Sequence, residues 1–276
     1  GLGYYRRARQ MHAAAKKIVG EYGGRFPTAF DDVLALPGIG RYTAGAILSI
    51  ADDQPLPILE GNTIRVYSRL MNFHENSTST AGQKALWQFA DSLVTKNRPG
   101  DLNQALMEMG SEICVTGTPQ CPRCPVMRYC ESFRNGNPRE LPNKGNQRIR
   151  YENLHQAAVV IRRGDRVVVR LCGPDEHWTG LWDFPRFRMN GRDSPRDIVE
   201  QTRQQTGLTV EVDKPFLELK HAVTRFRIKL DCYEAAKVNG RLHSRSDLCW
   251  VTLDELKELA MSVTGRKIAR KLGVSS

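Results

Sequence analysis

Four cysteines crowd into "CVTGTPQCPRCPVMRYC", at Cys114, Cys121, Cys124 and Cys130, in the spacing C-x6-C-x2-C-x5-C. Thiolates packed this closely along a chain call for a metal centre. Structural zinc sites also use C-x2-C pairs, but they normally pair two short knuckles across a long spacer. One compact loop with unequal steps better suits wrapping a 4Fe-4S cubane. Cys172, Cys232 and Cys249 lack ligand spacing and read as core residues.

The stretch "ILEGNTIRV" carries a second candidate, with Glu60, Gly61 and Asn62 just ahead of a helical pattern. Glu60 is either a catalytic group or an acid that starts a helix. Upstream, "LPGIGRYTAGAI" puts Gly38 and Gly40 two apart between helical segments. That permits a tight hairpin whose exposed amides approach a phosphate, with the following helix adding its positive end. A plain helix-helix turn uses the same residues. Glu108 and Glu112, one helical turn apart, read as a solvated face.

The elements that must position these groups follow from periodicity. From Tyr4 to about Cys114 the apolar residues recur at helical spacing in "ARQMHAAAKKIV", "TAGAILSIA", "TIRVYSRLM", "QKALWQFADSLV" and "DLNQALMEMGSEI". "GGRFP", "LPGIG" and "NRPGD" punctuate them. "RNGNPRELPNKGNQRIRYEN" is polar and rich in Asn, Gly and Pro, and is expected as a linker. Beyond it "QAAVVIRRGDRVVVRL" signals a β-hairpin, "SPRDIVEQTRQQTG" a helix ended by Gly207, and "LTVEV", "FLELKHAV" and "FRIKLDCYEA" strands. A short helical "LDELKELA" and a basic last helix close the chain. A length of 276 residues fits two such domains, each able to bury a core.

Lys and Arg number 41 against 30 Asp and Glu, and both halves share the excess. This suits a polyanion partner, since each phosphate neutralised releases counterions; surface solubility is the alternative. Seven cysteines, four of them clustered, favour metal binding in a reducing compartment over disulfides. No run reaches the apolar length of a membrane span, and "GLGYYRRARQ" has no signal-peptide core. The sequence opens on Gly1, directly in a helical pattern, and is read as a fragment lacking upstream residues.

The hairpin "LPGIGRYTAG", the acidic loop "LEGN" and the cysteine loop occur in the order and spacing of the iron-sulfur DNA glycosylases related to endonuclease III. "GLGYYRRARQMHAAA" and "NQALMEMGSEIC" resemble specifically the adenine DNA glycosylases of the MutY type. The resemblance covers nearly the whole chain. It implies a multidomain protein: an all-α helix-hairpin-helix glycosylase domain with a 4Fe-4S loop over 1–133, a linker over 134–153, and an α+β Nudix-like domain over 154–276. It implies excision of adenine mispaired with 8-oxoguanine or guanine in double-stranded DNA, the adenine being flipped into a pocket. A monomer is the matching expectation, cytoplasmic and nucleoid-associated if the source is bacterial and of open location otherwise.

In that family the bifunctional lyases carry a hairpin lysine where this chain has Tyr42, so no Schiff-base nucleophile is expected there and a monofunctional enzyme is implied. Breaking the adenine–deoxyribose bond develops positive charge on the sugar, which an anion beneath the ring stabilises. Glu60 stands where the family has Asp, with Asn62 positioning the reacting groups. Gly38, Gly40 and Arg41 would grip phosphate, while Arg123 and Arg128 flank a cluster loop that faces DNA. The family's proton donor is a Glu upstream of "GLGYY", outside these residues. A lesion-binding protein without turnover is the other reading.

"HWTGLWDFPRF" and the helix after it resemble the Nudix-like domain of the same proteins. Gln201, Gln204 and Gln205 stand where three metal carboxylates would be, so pyrophosphate hydrolysis is not expected. The family's Phe-Ser-His loop, which reads 8-oxoguanine, aligns with Val223, Thr224 and Arg225. Here Thr224 keeps a hydroxyl, and Arg225 replaces an imidazole with a permanent charge. His221 is expected to be structural, and Trp178 and Trp182 to belong to the core.

Overall fold

The computed structural model describes residues 4–145, 151–190 and 194–274. The chain divides into a helical unit, Arg6–Gln147, and a mixed unit built mainly from Arg148–Ser276. No helix among the described residues is long and apolar enough to cross a membrane.

The helical unit runs α1 (Tyr5–Tyr22), α2 (Phe30–Leu34), α3 (Arg41–Asp52), α4 (Gly61–Leu70), α5 (Thr80–Leu93), α6 (Pro99–Glu112) and α7 (Glu131–Arg134). All five segments with helical periodicity form helices. The main core gathers Leu59, Val66 and Tyr67 around α4 with Leu86, Ala90, Leu106 and Met109 from α5 and α6; a smaller one joins Val33, Ala44 and Leu48. Small residues let the helices close up. A Cβ on Gly100 would lie 2.5 Å from the Ser49 carbonyl, and one on Gly110 would lie 2.8 Å from Asn62 Cβ. Beside the first contact, buried Asn103 donates Nδ2 to Ser49 Oγ at 2.8 Å and to the Leu56 carbonyl at 2.9 Å, tying α6 to the chain around α3.

The segment expected as a linker is partly structural. Leu141 is buried, and its carbonyl accepts from Arg69 Nε at 3.2 Å. The Asn143 carbonyl accepts from Ser77 N at 2.8 Å and Ser77 Oγ at 2.7 Å, while Asn143 Nδ2 donates to the His74 carbonyl at 2.7 Å. Asn, Gly and Pro mark turns, and a turn can be pinned as well as free. Residues 146–150 of that segment lie outside the described residues, as do Gly1–Gly3.

The mixed unit contains β1 (Glu152–Val160), β2 (Arg162–Arg163), β3 (Arg166–Leu171), β4 (Trp182–Asp183), β5 (Arg186–Met189), α8 (Pro195–Thr206), β6 (Leu208–Val212), β7 (Leu217–Val223), β8 (Phe226–Gly240), β9 (Leu248–Thr252), α9 (Glu255–Glu258) and α10 (Val263–Lys271). The expected hairpin forms only at β2–β3, turning at Gly164 with φ +61°. The rest of "QAAVVI" becomes β1, parallel to β8 and antiparallel to β5. Ala157 to Ile161 are all buried, so this apolar run sits centrally, covered on both faces. β6 and β7 pair with β8 to complete that sheet, and β2, β3, β4 and β9 make the second. One core lies between Ala158, Leu230, Val167, Val169 and α10; the other packs Ala157, Val159 and Val168 against Ile198 of α8. Cys232 belongs to the first core, with Cys172 buried and Cys249 packed at its side. Trp182 packs there too, whereas Trp178 stacks with Arg186 instead of entering the core.

Candidate active site and metal centre

Glu60 is the N-cap of α4, in extended backbone at φ −144°. Its Oε1 accepts from Asn62 N at 2.8 Å and Thr63 N at 3.1 Å, and Thr63 Oγ1 accepts from Glu60 N at 2.8 Å. This capping box fixes the carboxylate by one oxygen, and Oε2 has no hydrogen bond among the described residues. The structure gives the acid its helix-starting role, and the cap leaves one carboxylate oxygen free of hydrogen bonds among the described residues. Burial raises the phenol pKa of half-buried Tyr42, and the Glu60 charge raises it further; the same two causes raise that of Tyr67. Asn62 thus bonds Glu60 directly through its amide, and the Glu60 charge reaches Tyr42.

Asn62 is held from behind. Its Oδ1 accepts from Arg65 Nη2 at 2.9 Å, and Gly110 packs on its Cβ. Arg65 is buried, which lowers its pKa, and it donates Nε to the Cys114 carbonyl at 2.6 Å and Nη2 to the Gly110 carbonyl at 2.5 Å. One turn on, Arg69 donates Nη1 to the Cys114 and Val115 carbonyls at 3.1 and 2.9 Å, and to Cys114 Sγ at 3.2 Å. α4 therefore carries the acidic loop at its start and clamps the cysteine loop along its flank. Sequence reading missed both arginines; their signal is two cations four apart on the apolar face of a helix. Gly110→Ala should push Asn62 aside. Overpacking of this kind costs about 1–3 kcal/mol, read as a lower urea midpoint with unchanged m-value.

Cys114, Cys121, Cys124 and Cys130 line one cavity together with Arg69 and Phe133. Burial raises the Cys121 and Cys124 thiols, and charge on the neighbouring cysteines opposes their ionisation further. Among the described residues no three His, Cys, Asp or Glu groups gather closely enough for a single metal ion. Four soft donors around a shared space, backed by a buried guanidinium, fit a multi-atom cluster better than one zinc.

In the hairpin, Gly38 has φ +83°, and a Cβ there would lie 2.8 Å from Gln10 Cβ on α1, so both backbone and packing require glycine. Gly40 caps α3 without a side-chain bond, and a Cβ on it would meet nothing within 4 Å. Among the described residues no N-cap side chain engages the first amides of α3. Arg41 lays its guanidinium over Trp87 at 3.8 Å, which holds its charge beside that helix end. Arg123 is exposed and donates to Gln120 Oε1 at 2.6 Å. Glu108 and Glu112 are solvent-exposed.

Val223, Thr224 and Arg225 belong to the other unit, at the β7–β8 turn, where Val223 pairs with Phe226. Thr224 has φ +51°, rare for a β-branched residue, and donates Oγ1 to the Val223 carbonyl at 2.7 Å. Arg225 stacks back over Phe226 at 5.1 Å. On α8, Gln205 bridges to β5 by accepting from Arg186 N at 3.1 Å and donating to the Arg186 carbonyl at 3.2 Å, a structural use of the position.

His221 has both ring nitrogens buried and without a hydrogen-bond partner among the described residues. Burial pushes its pKa down to about 4, helped by the charges of Arg186, Lys267 and His177. The unfolded chain titrates near its ordinary 6.5, so the stability carried by neutral His221 is complete above pH 6.5 and is lost as pH falls toward 4. The urea midpoint should fall over that window, and His221→Leu should flatten this part of the profile.

A helix-hairpin-helix motif model matches residues 21–50, and a NUDIX domain model matches 156–271. The adenine DNA glycosylase of Mus musculus is 44% identical over 98% of this chain and 62% of its own length. That of Arabidopsis thaliana is 33% identical, covering 81% of this chain and 37% of the relative. Among solved structures, a thermostable thymine-DNA glycosylase is 30% identical with a TM-score of 0.44, covering 49% of this chain and 62% of that one. The class is that of a helix-hairpin-helix unit bearing a four-cysteine loop, followed by a Nudix-like domain. Within it, the chain is similar over nearly its whole length to the adenine DNA glycosylases. It spans 62% of the length of the mouse relative.

Proposed function

We propose that the protein is a monofunctional DNA glycosylase that hydrolyses the bond between adenine and deoxyribose when adenine is mispaired with 8-oxoguanine or guanine. The observation that carries this is Glu60, held by its capping box with one carboxylate oxygen open, beside Tyr42 and Asn62. A fixed anion stabilises the positive sugar without reorganising as charge develops. Tyr42 at the hairpin offers no amine, so the product is an abasic site with the strand intact. The start of α3 at Gly40, uncapped by a side chain and with Arg41 alongside, suits a DNA phosphate. Thr224 and Arg225, exposed at their turn, are the groups for reading the opposite base.

Cys114, Cys121, Cys124 and Cys130 would hold a 4Fe-4S cluster. Bound there, it would tie the four thiolates together and stiffen the loop between them, which carries Arg123 and Arg128.

A second reading rests on the same cap. Two amides already engage the Glu60 carboxylate, and the side chain is one methylene longer than the family's Asp, so a protein that binds the lesion without turnover is also consistent. Single-turnover reaction of the full-length protein with an adenine:8-oxoguanine duplex separates them, scored as alkali-labile abasic sites. Excision by wild type is expected. If wild type and Glu60→Asp both bind the duplex and leave the adenine in place, the second reading stands.

A further inference from the structure

The turn between β7 and β8, at Val223–Arg225, is held from outside itself. Thr224 takes left-handed backbone at φ +51°, a strain that persists only where the surroundings over-determine it. The turn's own bonds are local: Thr224 Oγ1 reaches back to the adjacent Val223 carbonyl at 2.7 Å, and the Arg225 carbonyl accepts from Glu152 N at 3.0 Å. Thr224 and Arg225 are exposed, so the support lies beneath them, where Val223 faces Phe226 across the hairpin. Phe226 is half-buried. Two groups pack on its ring, the Arg225 guanidinium at 5.1 Å and the His177 imidazole at 4.9 Å, tilted by 49°.

His177 comes from the loop between β3 and β4, and the bonds within that loop make it rigid. Glu176, next to His177, is gripped by both terminal nitrogens of Arg170, the Nη1 contact measuring 2.9 Å, and it accepts from Gly173 N at 2.6 Å. Thr179 Oγ1 donates to the Glu176 carbonyl at 2.7 Å, and Gly180 N donates to the Cys172 carbonyl at 2.9 Å, closing the loop. On the far side of His177, Trp178 lies under buried Arg186 at 4.3 Å and meets the His221 ring at 5.6 Å. His221 pairs with Ile228 and Val223 with Phe226, two residues along each strand, so both pairs present side chains to the same face. Adjacent side chains of one rigid loop therefore rest on two successive rows of the hairpin. Trp178 alone would leave the tip free to pivot; His177 on Phe226 stops the pivot.

Fixing the tip bears on discrimination more than on affinity, because phosphate contacts hold the duplex while hydrogen bonds to a base edge carry its identity and demand close geometry. We infer that His177 is the positioning residue of the base-reading turn. Through the Phe226 ring it sets where Thr224 and Arg225 meet the base opposite adenine, and so how far 8-oxoguanine is preferred to guanine. The assignment rests on the reading of Val223–Arg225 as the turn that meets that base.

The experiment measures, by fluorescence anisotropy, the affinity of the protein for duplexes carrying a hydrolysis-resistant 2′-fluoro-2′-deoxyadenosine opposite 8-oxoguanine or opposite guanine. The readout is the ratio of the two Kd values. His177→Ala should lower that ratio about 5-fold, the order of factor that one aromatic ring contact is worth, by weakening the 8-oxoguanine complex alone. Affinity for the guanine duplex and the thermal midpoint should stay near those of wild type. His177→Phe puts a ring back against Phe226 and should restore the ratio. An unchanged ratio in His177→Ala, where Thr224→Ala or Arg225→Ala does lower it, overturns the role of His177 and leaves the turn as the base reader. Failure of His177→Phe to restore the ratio would mean that the imidazole touches the base itself, and equal weakening of both duplexes would mean a general support; either result overturns the assignment. A ratio unmoved by Thr224→Ala and Arg225→Ala, or wild type that binds neither duplex or both alike, removes the turn as base reader and the role of His177 with it.

Discussion

Glu60→Gln should fold with a near-native urea midpoint and lose adenine excision by on the order of 100- to 1,000-fold in single-turnover rate. The amide is nearly isosteric and keeps an oxygen where Oε1 accepts from Asn62 N and Thr63 N, so the start of α4 survives. What goes is the negative charge that the proposed reaction needs beneath the sugar. Glu60→Asp tests position separately from charge. Asp is itself a good N-cap, so helix stability should hold, but its oxygens retreat by roughly an ångström, a displacement able to change a rate on the order of 100-fold. A faster Glu60→Asp would show that the longer side chain sits too far forward; a slower one would show that Asn62 and Tyr42 are arranged around Glu. Glu60→Gln running at the wild-type rate would remove Glu60 from the chemistry altogether. Because Tyr42 feels the Glu60 charge, its phenol should titrate lower in Glu60→Gln than in wild type, an independent sign that the two groups face each other.

The parts of the site that sequence made legible are those where chemistry and spacing coincide. The cysteine spacing, the two hairpin glycines and the acid ahead of a helical pattern each restrict the backbone or the donor set on their own. The strands of the mixed unit announced themselves by β-branched runs, and the helix end at Gly207 by its left-handed cap, φ +79°. What stayed hidden depends on partners distant along the chain. Arg65 and Arg69 look like surface cations until α6 and the cysteine loop close over them. Glu60 is a poor N-cap by residue type, and only Thr63 answering its backbone amide reveals the box. Residues 135–145 are polar enough to float free, yet Leu141 and Asn143 are pinned by Arg69 and Ser77, far earlier in the chain. Trp178 was expected in the core because tryptophan is large and apolar, but a buried arginine on β5 claims its face.

Arg69→Ala should be the most destabilising single change in the helical unit. The guanidinium is 2% exposed and donates to the carbonyls of Leu141, Cys114 and Val115. Truncation leaves the Leu141 and Val115 carbonyls without that donor, the Cys114 carbonyl keeping Arg65 Nε, and opens a cavity beside the cysteines. Each lost bond to a charged donor is worth roughly 1.5–3 kcal/mol, and because the three share one side chain their sum is not additive, so about 3–6 kcal/mol is expected. That is a large part of the stability a domain ordinarily has. Arg69→Lys should recover little, since one ammonium on a flexible stem cannot span Leu141 on one side and the Cys114–Val115 turn on the other. The cysteine loop should open first, because Arg69 is its anchor to α4 and its own carbonyl lies 3.4 Å from Cys130 Sγ. Thiol-reagent labelling of Cys114 and Cys130 should rise in conditions where α4 is still helical by circular dichroism. Loss of visible iron-sulfur absorbance in step with that labelling, in protein reconstituted with iron and sulfide, would tie the cluster to the same anchor. If labelling and the urea midpoint are unchanged in Arg69→Ala, the cysteine loop is held by its ligands alone and α4 does not serve as its support.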